Sequence, residues 1–133
     1  MNKINTLFIR FALTIIMIMH SVPSFITMDV IYFGSGFLAQ KGFGSMGVPL
    51  AILVKLVHLI TIPALIFDKY LILFSVLNIC ILLGGIVMIH FQEGWYVVGG
   101  GSNGIEFNFL LIFIFLSLII PNDIYITTKN KQL

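Results

Sequence analysis

Five side chains set in apolar sequence are able to do chemistry: His20, Lys55, His58, His90 and Glu106. An ionisable group at the centre of a membrane helix costs about 2.5 to 3.5 kcal/mol on insertion scales, so each needs a partner, a water-filled cavity or a role. Lys55 and His58 stand three positions apart, on one helical face about a turn from each other. The Lys55 ammonium has two outlets: it snorkels outward along its aliphatic stem, or it pairs with Glu106 and offsets the desolvation of both charges. His58 lies deeper and is expected either as a neutral side chain hydrogen-bonded between helices or as a ligand-binding group. Imidazole and ammonium together suit a quinone or similar amphiphile, whose ring needs one or two polar partners beside an apolar path for its tail. The 13 Phe and 6 Met residues supply such lining, besides filling core and lipid-facing surface. His20, His58, His90 and Glu106 also offer plausible metal donors, but no HxxxH or comparable spacing supports a centre, and no metal is expected. Cys80, the single cysteine, falls in an apolar run, which excludes disulfide frameworks and CxxC motifs.

The elements that must position these groups follow from composition. Of 133 residues, 59% are hydrophobic and 9% charged, against about 25% charged in a soluble domain. A chain this small leaves much of itself at the surface, so the apolar excess must face lipid. Four apolar stretches, approximately 7–22, 48–67, 70–91 and 105–120, approach the ~20 residues a helix needs to cross the hydrocarbon. The expected fold is all-α, an integral membrane four-helix bundle forming one domain over 1–133. The first stretch is read as a span and not as a cleaved signal, because Arg10 interrupts it and no A-x-A-like site follows. A net charge of +2 with no clustered basic stripe argues against nucleic-acid binding.

Basic residues set the orientation, since Lys and Arg beside the spans favour the cytoplasm. Lys3, Arg10, Lys69, Lys129 and Lys131 fall on one side of a four-span arrangement, opposite loops that hold Lys41 and Glu93. Both termini are therefore expected to be cytoplasmic, which puts all five chemical side chains in the outer half. Tyr32, Tyr70, Trp95 and Tyr96 flank the span ends, where amphipathic rings settle at headgroup level.

The connection from Pro23 to Gly47 is rich in glycine but also carries Phe25, Phe33, Phe37 and Phe43, so it is expected to pack on the bundle's outer end or lie in the interface. The run Gly99-Gly100-Gly101-Ser102-Asn103-Gly104 lacks the Lys-Ser/Thr of a phosphate loop and the βαβ setting of a dinucleotide fingerprint, and reads as a tight path over helix ends. Asn103-Gly104-Ile105-Glu106 matches a capping box, compatible with a Glu106 that also faces a partner. Glu106 and Ser117, eleven apart, share a face with Phe113 between them, and Asn78 and Asn108 are expected to hydrogen-bond between helices.

Over its whole length the chain resembles the DoxX family of small four-helix membrane proteins. The likeness runs through Ile9-Arg10 at the start of the first span, His20 near its end, and the long Gly/Phe connection. It is most specific in Ile89-His90-Phe91-Gln92-Glu93-Gly94-Trp95-Tyr96 and Gly104-Ile105-Glu106-Phe107-Asn108-Phe109-Leu110-Leu111, which is similar to the family's glycine-aromatic turn and helix-starting glutamate. The second span departs, with His58-Leu59-Ile60-Thr61-Ile62-Pro63 where the family commonly has a glutamate and a glycine pair.

The resemblance implies association with membrane redox chemistry in the bacterial cytoplasmic membrane, as an accessory or quinone-handling subunit. With no haem ligation pattern and no thiol pair in the chain, the redox chemistry would reside in a bound quinone or in partner subunits. Surrounding lipid, redox subunits or further copies of the chain are the partners implied. Two other functions use the same residues: a small transporter or channel subunit, with the polar groups as a solute path, and a structural membrane protein without ligand.

Overall fold

The computed structural model describes residues 6–120, and every regular element in that range is helical. Lys3, Lys129 and Lys131, three of the orientation signals, lie outside the described residues. Helix α1 (Leu7–Ile26) is followed by α2 (Asp29–Tyr32), which widens into a π-helical segment (Phe33–Phe43) and a tight turn (Gly44–Met46). Helix α3 (Gly47–Phe67) and α4 (Leu71–Gly85) come next; α4 widens over Ile86–His90 and closes with Phe91–Glu93, and α5 (Glu106–Ile119) completes the set.

By length and apolarity three helices can cross a membrane: Leu7–Ile26, the run Asp29–Phe67, and Leu71–Glu93. The fourth expected span is shorter. Helix α5 has 14 residues, about 21 Å at 1.5 Å per residue. Ile120 adopts extended backbone (ψ 119°), as expected of a residue whose successor is proline.

Helix α1 packs along α3, α4 along α5, and α3 joins the two pairs through α4. Leu13 and Met17 of α1, Leu65 of α3, Leu71 of α4, and Leu111 and Phe115 of α5 interlock in the main core. Elsewhere the helices keep large apolar side chains outward, among them Phe8, Ile66, Val87 and Phe113. Such a surface suits hydrocarbon, where helices associate through close packing because lipid tails are as apolar as leucine.

One end of the bundle is closed by the α3–α4 turn, built on left-handed backbone at Asp68 (φ 64°) and Tyr70 (φ 56°). Arg10 reaches it from α1. Its guanidinium donates to Asp68 Oδ1 at 2.9 Å, to the Leu65 carbonyl at 3.2 Å and to Thr6 Oγ1 at 3.2 Å. Thr6 and Ile120 line a cleft of about 410 Å³ with Arg10 and Asp68, so the described chain begins and ends at this turn end. Arg10 and Asp68 keep 17% and 35% side-chain exposure, which screens the pair. Arg10→Met, Asp68→Asn and their combination are expected to show a coupling of about 1 kcal/mol in detergent unfolding. Additive losses would mean that the pair contributes nothing.

The opposite, loop end is covered by the connection after α1. It is helical. Met28 (φ 61°) reverses the chain, and the Thr27 hydroxyl donates to Asp29 Oδ2 at 2.5 Å, with the Pro23 carbonyl oxygen 3.0 Å away as the alternative acceptor. Val30, Gly34 and Leu38 then recur every four positions on one buried stripe. Val30 and Leu38 pack with Ala51 of α3, flanked by Phe25, Phe37 and Met88. A Cβ on Gly34 would come within 2.5 Å of the Val48 Cα, so the two backbones meet with nothing between them.

Candidate functional site

Antiparallel packing of α1 on α3 brings the last turns of one beside the first turns of the other, and three of the five candidates meet there. Lys55 Nζ donates to the His20 carbonyl at 2.7 Å. Pro23, three residues beyond His20 and inside α1, lacks an N–H and loosens the backbone ladder in this stretch. The lysine thus sets its charge on a helix carbonyl, at a half-buried position. The His20 and His58 rings meet edge to face, with centroids 6.1 Å apart at 73°. His20 lies on the outer surface of α1, whereas His58 is buried with 8% exposure. His58 Nδ1 has no hydrogen-bond partner among the described residues.

From His58 the polar character continues inward. Thr61, one turn further along α3, donates to the Val57 carbonyl at 2.6 Å and accepts from Asn78 Nδ2 at 2.7 Å. Asn78 also donates to the Phe74 carbonyl at 2.7 Å, so the interhelical role read from its type is filled. Thr61 and Ser75, both fully buried, belong to this seam as well. Sequence reasoning passed over them, although each stands three positions from a polar residue already singled out, Thr61 from His58 and Ser75 from Asn78.

His90 and Glu106 do not join the group. His90 Nδ1 lies 2.6 Å from the Asn103 carbonyl oxygen. Glu106 Oε1 accepts from the Val97 N–H at 2.9 Å. Both side chains therefore hold down the loop between α4 and α5. Glu106 and Lys55 are not an ion pair, because each has taken a backbone partner instead. The capping box is also replaced: the Ile105 and Glu106 N–H groups donate to the Gly94 and Trp95 carbonyls at 3.1 and 3.0 Å, and no side chain caps α5. Gly104 makes that backbone pairing possible, since a Cβ there would lie 2.5 Å from the Trp95 carbonyl oxygen. Asn108 is buried, and its amide nitrogen and the His90 ring flank Gly85 at 3.5 and 3.8 Å from where a Cβ would sit. Ser117 turns its hydroxyl back to the Ile114 carbonyl at 2.7 Å.

The metal donors are thus divided between two places, and no three His, Cys, Asp or Glu side chains gather among the described residues. An apolar groove of about 440 Å³ runs along Ile60, Pro63, Phe67, Tyr70 and Phe74, near the turn end and away from this group. His20, Lys55 and His58 instead form a seam at the flank of α1 and α3, with Met19, Leu53 and Leu56 exposed around it. Its chemistry is that of a hydrogen-bonding and charge-stabilising edge within apolar surface: two imidazoles, one ammonium and one unused buried ring nitrogen. No family model, curated protein or solved structure matches the chain.

Proposed function

We propose that the chain is a DoxX-like, multi-pass protein of a bacterial cytoplasmic membrane, with both termini inside, that serves as an accessory or quinone-handling subunit of a membrane redox complex. One observation carries this assignment. Lys55, His20 and His58 converge at a flank of apolar surface, and His58 brings a buried ring nitrogen with its hydrogen bond unmade. An unpaired buried polar atom is costly in hydrocarbon and favours a ligand that pairs it. Quinone, when bound, supplies two-electron chemistry coupled to protons. His58 would hold its ring oxygen and exchange a proton there, while the Lys55 ammonium stabilises negative charge on the same edge. The exposed leucines and methionine beside the seam would receive the tail.

Purification in mild detergent followed by solvent extraction and chromatography tests this. Co-purifying quinone is expected, together with binding of a short-chain quinol analogue that weakens about tenfold in His58→Phe and Lys55→Met, the loss of one hydrogen bond or charge contact each. A protein that carries no quinone, binds no analogue and captures no redox partner would sink the proposal. A small transporter has one observation in its favour, the continuation of polar side chains through Thr61, Asn78 and Ser75. Against it stands the apolar layer of Leu13, Leu65 and Phe115 beyond them.

A further inference from the structure

The seam between α3 and α4 contains more unmet hydrogen bonding than a hydrocarbon interior tolerates. Three buried atoms on these two helices, His58 Nδ1, Asn78 Oδ1 and Ser75 Oγ, have no partner among the described residues. Ser75 is the telling one. A buried helical hydroxyl usually turns back to the carbonyl four residues earlier, as Thr14, Ser21 and Thr61 do toward Arg10, Met17 and Val57. Ser75 is fully buried and does not. Its hydroxyl, donor and acceptor at once, is left without a partner among the described residues.

The three residues follow in order along the paired helices. Thr61 and Asn78 are hydrogen-bonded across the seam, which fixes the antiparallel register of α3 and α4. His58 stands one turn from that bridge toward the loop end, and Ser75 one turn from it toward the turn end. The orphaned atoms are therefore strung over about two helical turns, on the order of 10 Å. Past Ser75 the character changes at once, since Leu71, Leu65, Leu13 and Phe115 interlock without a polar atom before the Arg10–Asp68 pair. Past His58, in the other direction, come His20 on the outer surface and the half-buried Lys55.

We propose that the α3–α4 seam is an internal water site, in which His58 Nδ1, Asn78 Oδ1 and Ser75 Oγ hold a short file of ordered water that is entered past His20 and closed toward the turn end. Water fits the donor set better than a metal cation, because no carboxylate lines the seam and the Lys55 ammonium stands at its mouth. These three groups, the Thr61 hydroxyl oxygen as a further acceptor and the neighbouring waters of the file would be the polar partners that buried water needs. The seam is thereby in proton exchange with the loop end only. A quinone pairing with His58 Nδ1 would take the place of the outermost water only, leaving Asn78 Oδ1 and Ser75 Oγ as anchors of the file.

X-ray radiolytic labelling of the purified protein reads this directly, because hydroxyl radicals made from bound water oxidise the side chains beside it even where bulk solvent does not reach. His58 is expected to be labelled, with slow uptake of label when the protein is mixed with heavy-oxygen water. Phe115, fully shielded in the dry core, is expected to stay at background. Combining Ser75→Ala with Asn78→Leu should cut His58 labelling about fivefold by removing two of the three anchors, and Ser75→Ala alone should cut it by less. Background labelling of His58 in the unaltered protein would overturn the proposal. So would undiminished labelling in the double variant and in Ser75→Ala, each checked for monodispersity and helicity, since the water would then lie at the flank and not in the seam.

Discussion

Gly47→Val is expected to unfold the loop end of the molecule, with a loss of about 3 kcal/mol and a protein that aggregates on extraction into mild detergent. The reason is backbone against backbone. A Cβ at Gly47 would press on the Gly34 carbonyl and come within 2.9 Å of the Ala39 N, neither of which is the movable end of a side chain. In hydrocarbon this contact has no hydrophobic substitute, because helix pairing there rests on how closely the chains approach. The strain cannot be relieved locally, since Val30 and Leu38 are locked onto Ala51 on either side. Gly36→Ala is the matched control: nothing lies within 4 Å of its added methyl, and helix propensity alone predicts a slight gain. Helicity followed through a titration with denaturing detergent distinguishes the two. Equal stability of Gly47→Val and Gly36→Ala would show that the connection does not rest on α3 as described.

Phe115→Ala should cost about as much, near 3 kcal/mol, and at the other end of the bundle. Phe115 has no exposed surface and fills the place where Leu13, Met17, Leu65, Leu71 and Leu111 converge from all four long helices. In water such a truncation loses transfer energy as well as packing. Here the unfolded reference is itself in lipid, so what remains is the cavity and the dispersion attraction forfeited by its walls. Phe115→Leu, which refills most of the space, is expected to lose about 1 kcal/mol. Thermal unfolding in one detergent, across the three proteins, gives the order. A Phe115→Ala protein as stable as the parent would mean that the four helices do not share this core.

The spans were legible from composition: a run such as Leu71–Gly85, apolar but for Ser75 and Asn78, has too little polar surface for water and is long and apolar enough to cross a membrane. Lys55 and His58 were legible as a pair because helical geometry fixes their separation whatever surrounds them. What lay across helices was not. The Lys55–Glu106 pairing was drawn from complementary charge, yet it required a rotation of α5 relative to α3 that no local pattern specifies. Packing instead handed Lys55 a carbonyl of α1 and Glu106 an amide of its own loop. The capping box misled for a related reason: Asn103 and Glu106 have the right types, but Gly104 lets the Gly94 and Trp95 carbonyls approach first. The helical form of the connection was obscured by its glycines, although its phenylalanines marked it as a packed or interfacial segment. The stripe of Val30, Gly34 and Leu38 was a usable signal, with glycine standing where the neighbouring backbone passes.

The widened turn Ile86–His90 has a consequence for where α4 can act. At about 100° per residue an unbroken α-helix would leave His90 roughly 120° around the axis from Asn78. A π turn advances more slowly, about 82° per residue, and over five residues it brings His90 back to roughly 30° from Asn78. The widening is thus an angular correction: Ser75, Asn78 and Gly85 share a face of the α-helical part already, and the π turn returns His90 to it. One helix thereby addresses α3 with its first turns and the anchor of the α4–α5 loop with its last, without bending toward either.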